Sequence, residues 1–195
     1  MSDQQDLIPA ERKMKLDALA NIIGQSLDQF GQADIIAVCT HNSRRSQLME
    51  VLLRFIADKL GLKNLHAYSG GTEATAFNHR MVSALRNFGF GLEADADGDS
   101  ENPQYKLDLG AGPLEGIFFS KRYDDAYNPQ NDFIAVMVCS EADADCPFVP
   151  GAYRRFSLPY EDPKWADDTK QEAESYRSKV MEIGREVLYM IRRIN

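Results

Sequence analysis

The sequence is short of several features that mark particular classes of protein. It has three cysteines, three histidines and one tryptophan in 195 residues. Three cysteines are too few, and odd in number, for the disulfide framework of a small secreted protein. No run approaches the ~18 consecutive apolar residues that a membrane-spanning helix needs. The opening MSDQQDLIPAERKMK holds no apolar core followed by a small-residue cleavage site. We therefore expect a cytoplasmic protein with reactive or buried thiols.

Basic residues are also in the minority. The chain has 22 Lys and Arg against 30 Asp and Glu, a formal net charge of −8. An acidic surface repels nucleic acid and anionic lipid, so neither a nucleic acid nor a membrane is expected as a partner. Any anion must bind in a local basic pocket. The content of 44% hydrophobic and 27% charged residues excludes disorder of the whole chain.

Hydrophobic periodicity predicts strands that alternate with helices. Short apolar runs indicate strands at residues 34–39, 65–69, 133–139 and 153–158. Apolar residues at helical spacing indicate helices at about 9–30, 46–60, 78–88 and 170–194. This alternation favours an α/β fold with a parallel sheet covered on both faces.

The length predicts one domain, residues 1–195, with two additions. Residues 1–31 are expected to form an N-terminal helical extension that begins at Pro9 and ends at Gly31. Residues 92–132 interrupt the alternation with glycines, prolines and acids, and only 116–119 resemble a strand. So long an irregular stretch is typical of a functional loop or a partly disordered segment.

The clearest chemistry lies after the first predicted strand, in the segment Cys39-Thr40-His41-Asn42-Ser43-Arg44-Arg45-Ser46. Backbone N–H groups and the dipole at the start of the next helix attract an anion and favour the thiolate form of Cys39. Arg45 can bind an oxyanion with two hydrogen bonds, and Ser46 can donate its hydroxyl to the thiolate. The segment therefore predicts a phosphate-like anion site with a nucleophile at its centre. The alternative is a buried cysteine followed by two surface arginines.

The sequence VCTHNSRRSQ resembles the anion loop shared by low-molecular-weight protein tyrosine phosphatases and thioredoxin-coupled arsenate reductases. Three later segments are similar to that family in order: residues 67–78 to the second-strand segment of the reductases, 139–147 to their redox cysteine pair, and 160–163 to the Asp-Pro loop. The match runs with gaps from about Asp34 to the C terminus. It leaves out the N-terminal helix and residues 92–132.

Two loop positions depart from the family pattern. The family usually has glycine where His41 stands, so the loop is expected to be less free to adopt a positive φ. It usually has a second cysteine where Arg44 stands. Arg44 either adds positive charge at the pocket mouth or is a solvated surface arginine.

The resemblance implies a four-stranded parallel sheet and arsenate reduction by a relay of three thiols. Cys39 attacks arsenate, and Cys139 attacks the adduct, which releases arsenite and leaves a Cys39–Cys139 disulfide. Cys146 converts it to Cys139–Cys146, which thioredoxin reduces. Apart from the resemblance, Cys39 and Cys139 both end apolar strands and so belong to one edge of a parallel sheet. Cys146 follows in an acidic, turn-rich loop that is expected to be mobile. The alternative is that Cys139 is a core thiol and Cys146 incidental.

The resemblance also assigns the general acid to Asp162, with Glu161 and Asp168 as nearby alternatives. No cofactor is required. In some arsenate reductases a potassium ion supports the anion loop, and the matching positions here are Asn42, Glu50 and Ser69. A fourth, acidic ligand falls near Lys121, whose ammonium can replace the ion.

Three functions stay open at this point. The leading one is arsenate reduction, with arsenate as the oxyanion and thioredoxin as the reductant. The second is a phosphatase for phosphotyrosine or small phosphate esters, which needs only Cys39, Arg45 and Asp162. The third is a non-catalytic module that binds an anion or a partner.

Overall fold

The chain alternates strands with helices over most of its length. A computed structural model describes residues 4–96, 98–108, 113–146 and 148–194. Its strands are β1 (Ala33–Cys39), β2 (Leu65–Gly71), β3 (Gly91–Ala94), β4 (Tyr105–Asp108), β5 (Pro113–Phe118), β6 (Phe133–Met137) and β7 (Ala152–Ser157). Its α-helices are α1 (Ala10–Phe30), α2 (Arg45–Leu60), α3 (His79–Asn87), α4 (Ser140–Asp145) and α5 (Glu172–Ile191), with short 3₁₀ helices at Gln5–Leu7 and Pro163–Ala166.

The main sheet has the strand order β2-β1-β6-β7, and all its neighbouring strands are parallel. The predicted four-stranded parallel sheet flanked by helices is therefore confirmed. Every residue of β1 and β6 is buried, as expected for central strands covered on both faces. The register sets Cys39 opposite Gly71, and Cys139 comes two residues after the end of β6. The ends of β1, β2 and β6 thus form one edge of the sheet.

The predicted N-terminal helix is confirmed as α1. It follows Pro9 and ends at Gly31, whose φ of 74° lets its N–H bond the carbonyl of Leu27 at 2.9 Å. The helix packs on β1 and α5 through a stripe that includes Leu16, Leu19 and Ile23. No helix in the described part of the chain is long and apolar enough to span a membrane. The division into one domain with an extension stays a prediction.

Residues 92–132 are more regular than expected, because β3, β4 and β5 form a second, antiparallel sheet. Each strand has four to six residues. In β4, Tyr105 and Leu107 are buried while Lys106 and Asp108 are exposed. Two alternations are too few to stand out in a sequence rich in glycine and acids. The expectation of an irregular stretch was wrong for β3 and β4, whereas the strand-like residues 116–119 overlap β5.

The segment that leads to Cys146 is also not the loop that was expected. Residues 140–145 form α4, with Cys139 as its N-cap and Cys146 as its C-cap. Glu141 and Asp143 lie in its first turn, where acidic side chains complement the helix dipole. A helix of six residues is too short to produce a periodic pattern.

Candidate active site

The anion loop, residues 39–46, joins the end of β1 to the start of α2. Cys39 is buried, with 4% of its surface exposed, and its Sγ lies 3.0 Å from Ser46 Oγ. Asn42 Nδ2 donates to the same hydroxyl oxygen at 2.8 Å. Because an amide nitrogen only donates, the proton of Ser46 is free to bond the sulfur. The arrangement can therefore stabilise a thiolate at Cys39.

The peptide planes of the loop are turned by contacts with neighbouring segments. Four loop carbonyl oxygens accept hydrogen bonds from outside the loop: those of Cys39 (Thr72 N, 3.1 Å), Thr40 (Glu73 N, 2.8 Å), His41 (Ser120 Oγ, 3.0 Å) and Ser43 (Asn78 N, 2.9 Å). In a trans peptide the N–H of the next residue points the opposite way. The N–H groups that face into the loop are thus those of Thr40, His41, Asn42 and Arg44. N–H groups in such an arrangement can bind a tetrahedral anion.

Asn42 holds the loop together. Its φ of 46° is left-handed, and its side-chain oxygen accepts hydrogen bonds from Gln47 Nε2 at 3.0 Å and from the Lys121 N–H at 2.9 Å. The left-handed residue is Asn42, and His41 is not among the described residues with positive φ. The positive φ of the loop therefore falls on Asn42, and His41 needs no left-handed backbone. Gly71 allows the close approach on β2, since a Cβ there would lie 2.6 Å from the Thr40 carbonyl oxygen.

Arg45 points from the start of α2 toward the loop that follows β7. Its Nη1 donates to the Tyr160 carbonyl at 2.9 Å, and its Nη2 donates to Asp162 Oδ2 at 2.7 Å. Its Nε is buried and has no hydrogen-bond partner among the described residues. A buried guanidinium N–H without a partner costs free energy, and an oxyanion bound in the loop would satisfy it.

Asp162 is the acid that the structure brings to Arg45. Its other carboxylate oxygen caps the 3₁₀ helix at Pro163–Ala166 by accepting from Lys164 N at 3.0 Å. The side chain is about one-third exposed. Of the alternatives, Glu161 is exposed and Asp168 pairs with Arg80 at 2.6 Å.

Arg44 is not a solvated surface arginine, and its Nε lies 4.0 Å from Asp162 Oδ1 beside the anion loop. Its side chain is 14% exposed, and it donates to the Tyr176 hydroxyl at 2.8 Å and to Asp167 at 3.1 Å. Burial raises the pKa of Tyr176 to about 12, so this hydroxyl stays protonated and donates to Asp167 at 2.8 Å. Arg44 therefore ties the loop to α5, and Asp167 balances its charge.

The second thiol lies against the anion loop. Cys139 Sγ is 3.7 Å from Thr40 Oγ1 and accepts from Ala142 N at 3.4 Å. Burial raises the pKa of the Cys139 thiol, although these two hydrogen bonds oppose the shift. Cys146 is partly buried at the other end of α4. Cys39 thus lies in the anion loop, Cys139 lies beside it, and Cys146 is separated from Cys139 by helix α4.

Helix α4 is fastened to β7 by Arg155. The Nε of Arg155 donates to the Cys146 carbonyl at 2.9 Å, and its Nη2 bonds both the carbonyl and the carboxylate of Asp143. Ser157 donates to the other Asp143 oxygen at 2.6 Å. These bonds hold Cys146 in place while all three cysteines are free thiols.

A cluster of buried charges lies behind the loop. The side chains of Glu50 and Lys121 are fully buried, with Lys121 Nζ 3.8 Å from Glu50 Oε2. Ser69 donates to Glu50 at 2.6 Å, and Arg54 pairs with it at 2.7 Å. Burial lowers the pKa of Lys121 and Glu50 opposes that shift. The cluster holds two basic groups and one carboxylate beside Asn42, which favours an anion in front of the loop.

Ser120 and Gln47 also support the loop, and neither was predicted from the sequence. Ser120 is 79 positions from His41, and Lys121 is equally far from Asn42. Ser120 and Lys121 both follow β5 and lie within residues 92–132, the segment that was expected to be irregular. No group of three or more His, Cys, Asp or Glu side chains in the described ranges is placed to hold a metal ion.

Comparisons with known proteins agree with this geometry. The family model described as low molecular weight phosphotyrosine protein phosphatase matches residues 34–109, and so it reaches into the segment 92–132. An arsenate reductase of Staphylococcus epidermidis is 26% identical over 74% of this chain and 96% of its own length. An arsenate reductase of Bacillus licheniformis is 26% identical over 78% of this chain and 91% of its own.

A solved structure of a low molecular weight protein tyrosine phosphatase from Bacillus subtilis has the same fold. It superposes with a TM-score of 0.55 at 17% identity, over 83% of this chain and 96% of that one. At this identity the likeness concerns the fold alone.

Proposed function

We propose that this chain is a member of the family of low-molecular-weight protein tyrosine phosphatases and arsenate reductases, and that it reduces arsenate through the thiols of Cys39, Cys139 and Cys146. The observation that carries the proposal is the 3.7 Å contact between Thr40 of the anion loop and Cys139 Sγ. Hydrolysis of a phosphate ester needs no second thiol beside the nucleophile. The arsenate reductases at 26% identity support the same choice.

In the first step the inward N–H groups of the loop and the free Nε of Arg45 bind arsenate. The Cys39 thiolate attacks arsenic and forms an S–As bond while one As–O bond breaks. Asp162, as a carboxylic acid, protonates the departing oxygen, which leaves as water. Ser46 holds the thiolate in position before the attack. Because the donors are fixed before the reaction, they stabilise the charge of the transition state.

In the second step the Cys139 thiolate attacks Cys39 Sγ. The electron pair of the S–As bond stays on arsenic, which is reduced from As(V) to As(III) and leaves as arsenite. The two sulfurs are oxidised to the Cys39–Cys139 disulfide. Since burial raises the pKa of Cys139, this step is expected to accelerate as pH rises toward the pKa of that thiol.

In the third step Cys146 attacks Cys139 Sγ and frees Cys39. A helix rises 1.5 Å per residue, so the Cα atoms at the two ends of α4 are ~10 Å apart, beyond the ~7 Å limit of a disulfide. Helix α4 must therefore unwind, and the hydrogen bonds of Arg155 to Cys146 and Asp143 must break. An external dithiol protein then reduces Cys139–Cys146; the resemblance names thioredoxin.

A phosphatase is the second candidate, favoured by the 2.7 Å pair of Arg45 and Asp162 at the mouth of the loop. Cys39, Arg45 and Asp162 suffice for it, with water attacking the Cys39 phosphoryl adduct. The enzyme families matched above disfavour the non-catalytic module. Two assays of the purified protein separate the candidates: arsenate with thioredoxin and its NADPH-dependent reductase, and an aryl phosphate. Thioredoxin-coupled turnover with arsenate supports the reductase, and its absence beside phosphate ester hydrolysis leaves the phosphatase.

The substitution Asp162→Asn tests the general acid. The amide keeps one of the two oxygens that accept from Arg45 Nη2 and Lys164 N, and it carries no acidic proton. We expect aryl phosphate hydrolysis to fall by about 10²–10⁴-fold, the usual contribution of a positioned proton donor. The matched control is Glu161→Gln, which makes the same change at the exposed neighbour and is expected to stay within twofold. A large loss in Glu161→Gln with a small one in Asp162→Asn would move the role to Glu161.

We propose further that the ammonium of Lys121 takes the place of a potassium ion behind the anion loop. Lys121 Nζ is buried 3.8 Å from Glu50, has no hydrogen-bond partner among the described residues, and lies over the rings of Phe119 and Tyr127 at 4.7 and 5.4 Å. Carboxylate and aromatic faces both stabilise a cation. The main-chain N–H of the same residue bonds Asn42, so the charge is built into the support of the loop.

The alkali-ion dependence of wild type and two variants tests this second proposal. Wild type is expected to have equal rates in sodium, potassium and tetramethylammonium salts. Lys121→Ala leaves a cavity beside Glu50, and we expect an activity loss of roughly tenfold, about 1.4 kcal/mol, that potassium or methylammonium partly restores. Lys121→Met fills the cavity with apolar atoms and is expected to lose activity without rescue. Wild type that requires potassium would make the ion the cofactor instead.

A further inference from the structure

The N-terminal helix reaches the active site through one buried cluster. Arg12 of α1 donates from Nε to Glu186 Oε2 of α5 at 2.9 Å and from Nη1 to the Pro159 carbonyl at 3.2 Å. Its guanidinium lies 4.3 Å from the centre of the Tyr160 ring. The Tyr160 hydroxyl donates to the same Glu186 oxygen at 2.8 Å. Arg12 is thus bonded to the segment that leads into Asp162.

Tyr160 makes hydrogen bonds through its N–H, its carbonyl and its hydroxyl. Its N–H bonds the Val138 carbonyl at 3.1 Å, and its own carbonyl accepts from Arg45 Nη1 at 2.9 Å. The side chain is buried between α1 and α5, and its surroundings raise the pKa of the phenol well above its ordinary value, chiefly through burial. The hydroxyl therefore stays protonated and keeps donating to Glu186. Asp162 follows two residues later, so the position of Tyr160 sets the position of the acid.

The buried carboxylate of Glu186 depends on Arg12 for compensation. Glu186 is 4% exposed, and removal of one partner from a buried ion pair leaves an uncompensated charge. That charge would lie beside the Tyr160 hydroxyl, next to residues 159–162, the acid loop that carries Asp162. The loss of Arg12 therefore affects the loop directly, and not only the packing of α1.

We propose that α1 is a positioning element of the active site, acting through Arg12 and Glu186 on Tyr160 and so on the orientation of Asp162. This inference rests on the proposed role of Asp162. The helix precedes residues 34–109, which carry the family match. In this chain its Arg12 bonds the Pro159 carbonyl, which fixes the acid loop from behind.

A double-mutant cycle with Arg12→Met and Asp162→Asn tests the coupling. With an aryl phosphate as substrate, we expect Arg12→Met alone to lower kcat by about 10–100-fold, because misplacement of a catalytic group by ~1 Å has effects of that size. The loss should be larger for phenyl phosphate than for a dinitrophenyl ester, whose leaving group needs no proton. In the Asp162→Asn background the same change should have an effect below twofold. Independent, multiplying effects would overturn the inference.

The matched control is Arg193→Met. Arg193 also joins α5 to α1, pairing with Asp17 at 2.9 Å and lying 3.6 Å from the centre of the Tyr189 ring, but it has no bond to the acid loop. We expect it to lower the thermal midpoint less than Arg12→Met, because the Arg193–Asp17 pair is about half exposed, and to leave kcat within twofold. Equal kcat losses in Arg12→Met and Arg193→Met would mean that the helix has only a packing role.

Trp165 supplies a readout that does not depend on activity. It is the single tryptophan of the chain, in the 3₁₀ helix that Asp162 caps, and is 59% exposed. Arg12→Met is expected to change its emission and acrylamide quenching, and Arg193→Met is not. An unchanged Trp165 signal in Arg12→Met overturns the inference. If wild type processes neither arsenate nor aryl phosphate, the proposed function fails, and the positioning role fails with it even where Trp165 responds.

Discussion

The substitution Cys39→Ser is expected to abolish arsenate reduction and aryl phosphate hydrolysis together. A serine hydroxyl is not ionised near pH 7, and its contact in the described part of the chain, the Ser46 hydroxyl, is not a base. We expect a loss greater than about 10⁴-fold, as when a nucleophile is removed from other enzymes. The fold should persist, because one atom changes at a site that is 4% exposed, and a hydroxyl can keep the contact with Ser46.

Steady-state rates with both substrates, and the rise of the thermal midpoint with inorganic phosphate, measure this result. Phosphate should still stabilise Cys39→Ser, since Arg45 and the loop N–H groups remain. The matched control is Cys139→Ser, the same change in a second buried thiol, which should hydrolyse aryl phosphate at the wild-type rate. Turnover by Cys39→Ser within tenfold of wild type would remove Cys39 from its role.

The anion loop could be predicted from sequence because its parts are local. Cys39 ends a fully apolar strand, Arg45 opens an amphipathic helix, and the loop between them has a fixed length. The hydrogen bonds that support the loop could not be predicted, because they come from residues that are distant in the sequence. The carbonyls that turn the N–H groups inward are bonded by residues of another segment, such as Ser120, 79 positions away from His41.

Arg44 shows how distance in sequence limits such reasoning. Its interpretation as a charge at the pocket mouth or on the surface considered only its neighbours in the chain. Its partners, Asp167 and Tyr176, are 123 and 132 positions away. No local pattern distinguishes a paired arginine from a solvated one, so these two partners could not be predicted from the sequence. Asp162, in contrast, was placed by resemblance alone.

The strands of the two sheets also differ in how clearly the sequence predicts them. The strands of the parallel sheet are continuous apolar runs because both of their faces are buried. The strands of the antiparallel sheet are short, and β4 buries only Tyr105 and Leu107 on one face. That sheet is held by pairing between neighbours along the chain, a signal that hydrophobic periodicity does not carry. Helix α4 was missed because six residues span fewer than two turns.

The relay itself gives the sharpest difference between the two enzyme functions. After a single pulse of arsenate without reductant, we expect Cys146→Ser to stop at a Cys39–Cys139 disulfide, since no thiol is left to release Cys39. Wild type should accumulate Cys139–Cys146 instead. Cys139→Ser should lose thioredoxin-coupled turnover entirely while it keeps aryl phosphate hydrolysis. Mass mapping of peptides under non-reducing conditions identifies each pair.

The link between α4 and β7 adds a condition that this experiment can detect. Arg155 donates to the Cys146 carbonyl at 2.9 Å, so the second disulfide forms only after that bond breaks and α4 unwinds. Arg155→Met is therefore expected to speed the conversion of Cys39–Cys139 to Cys139–Cys146, with the first disulfide forming at the wild-type rate. The neighbouring Arg154→Met, which changes a side chain bonded only to its own strand, is the control. Free thiols alone in wild type and in both cysteine variants would rule out the reductase and leave the phosphatase.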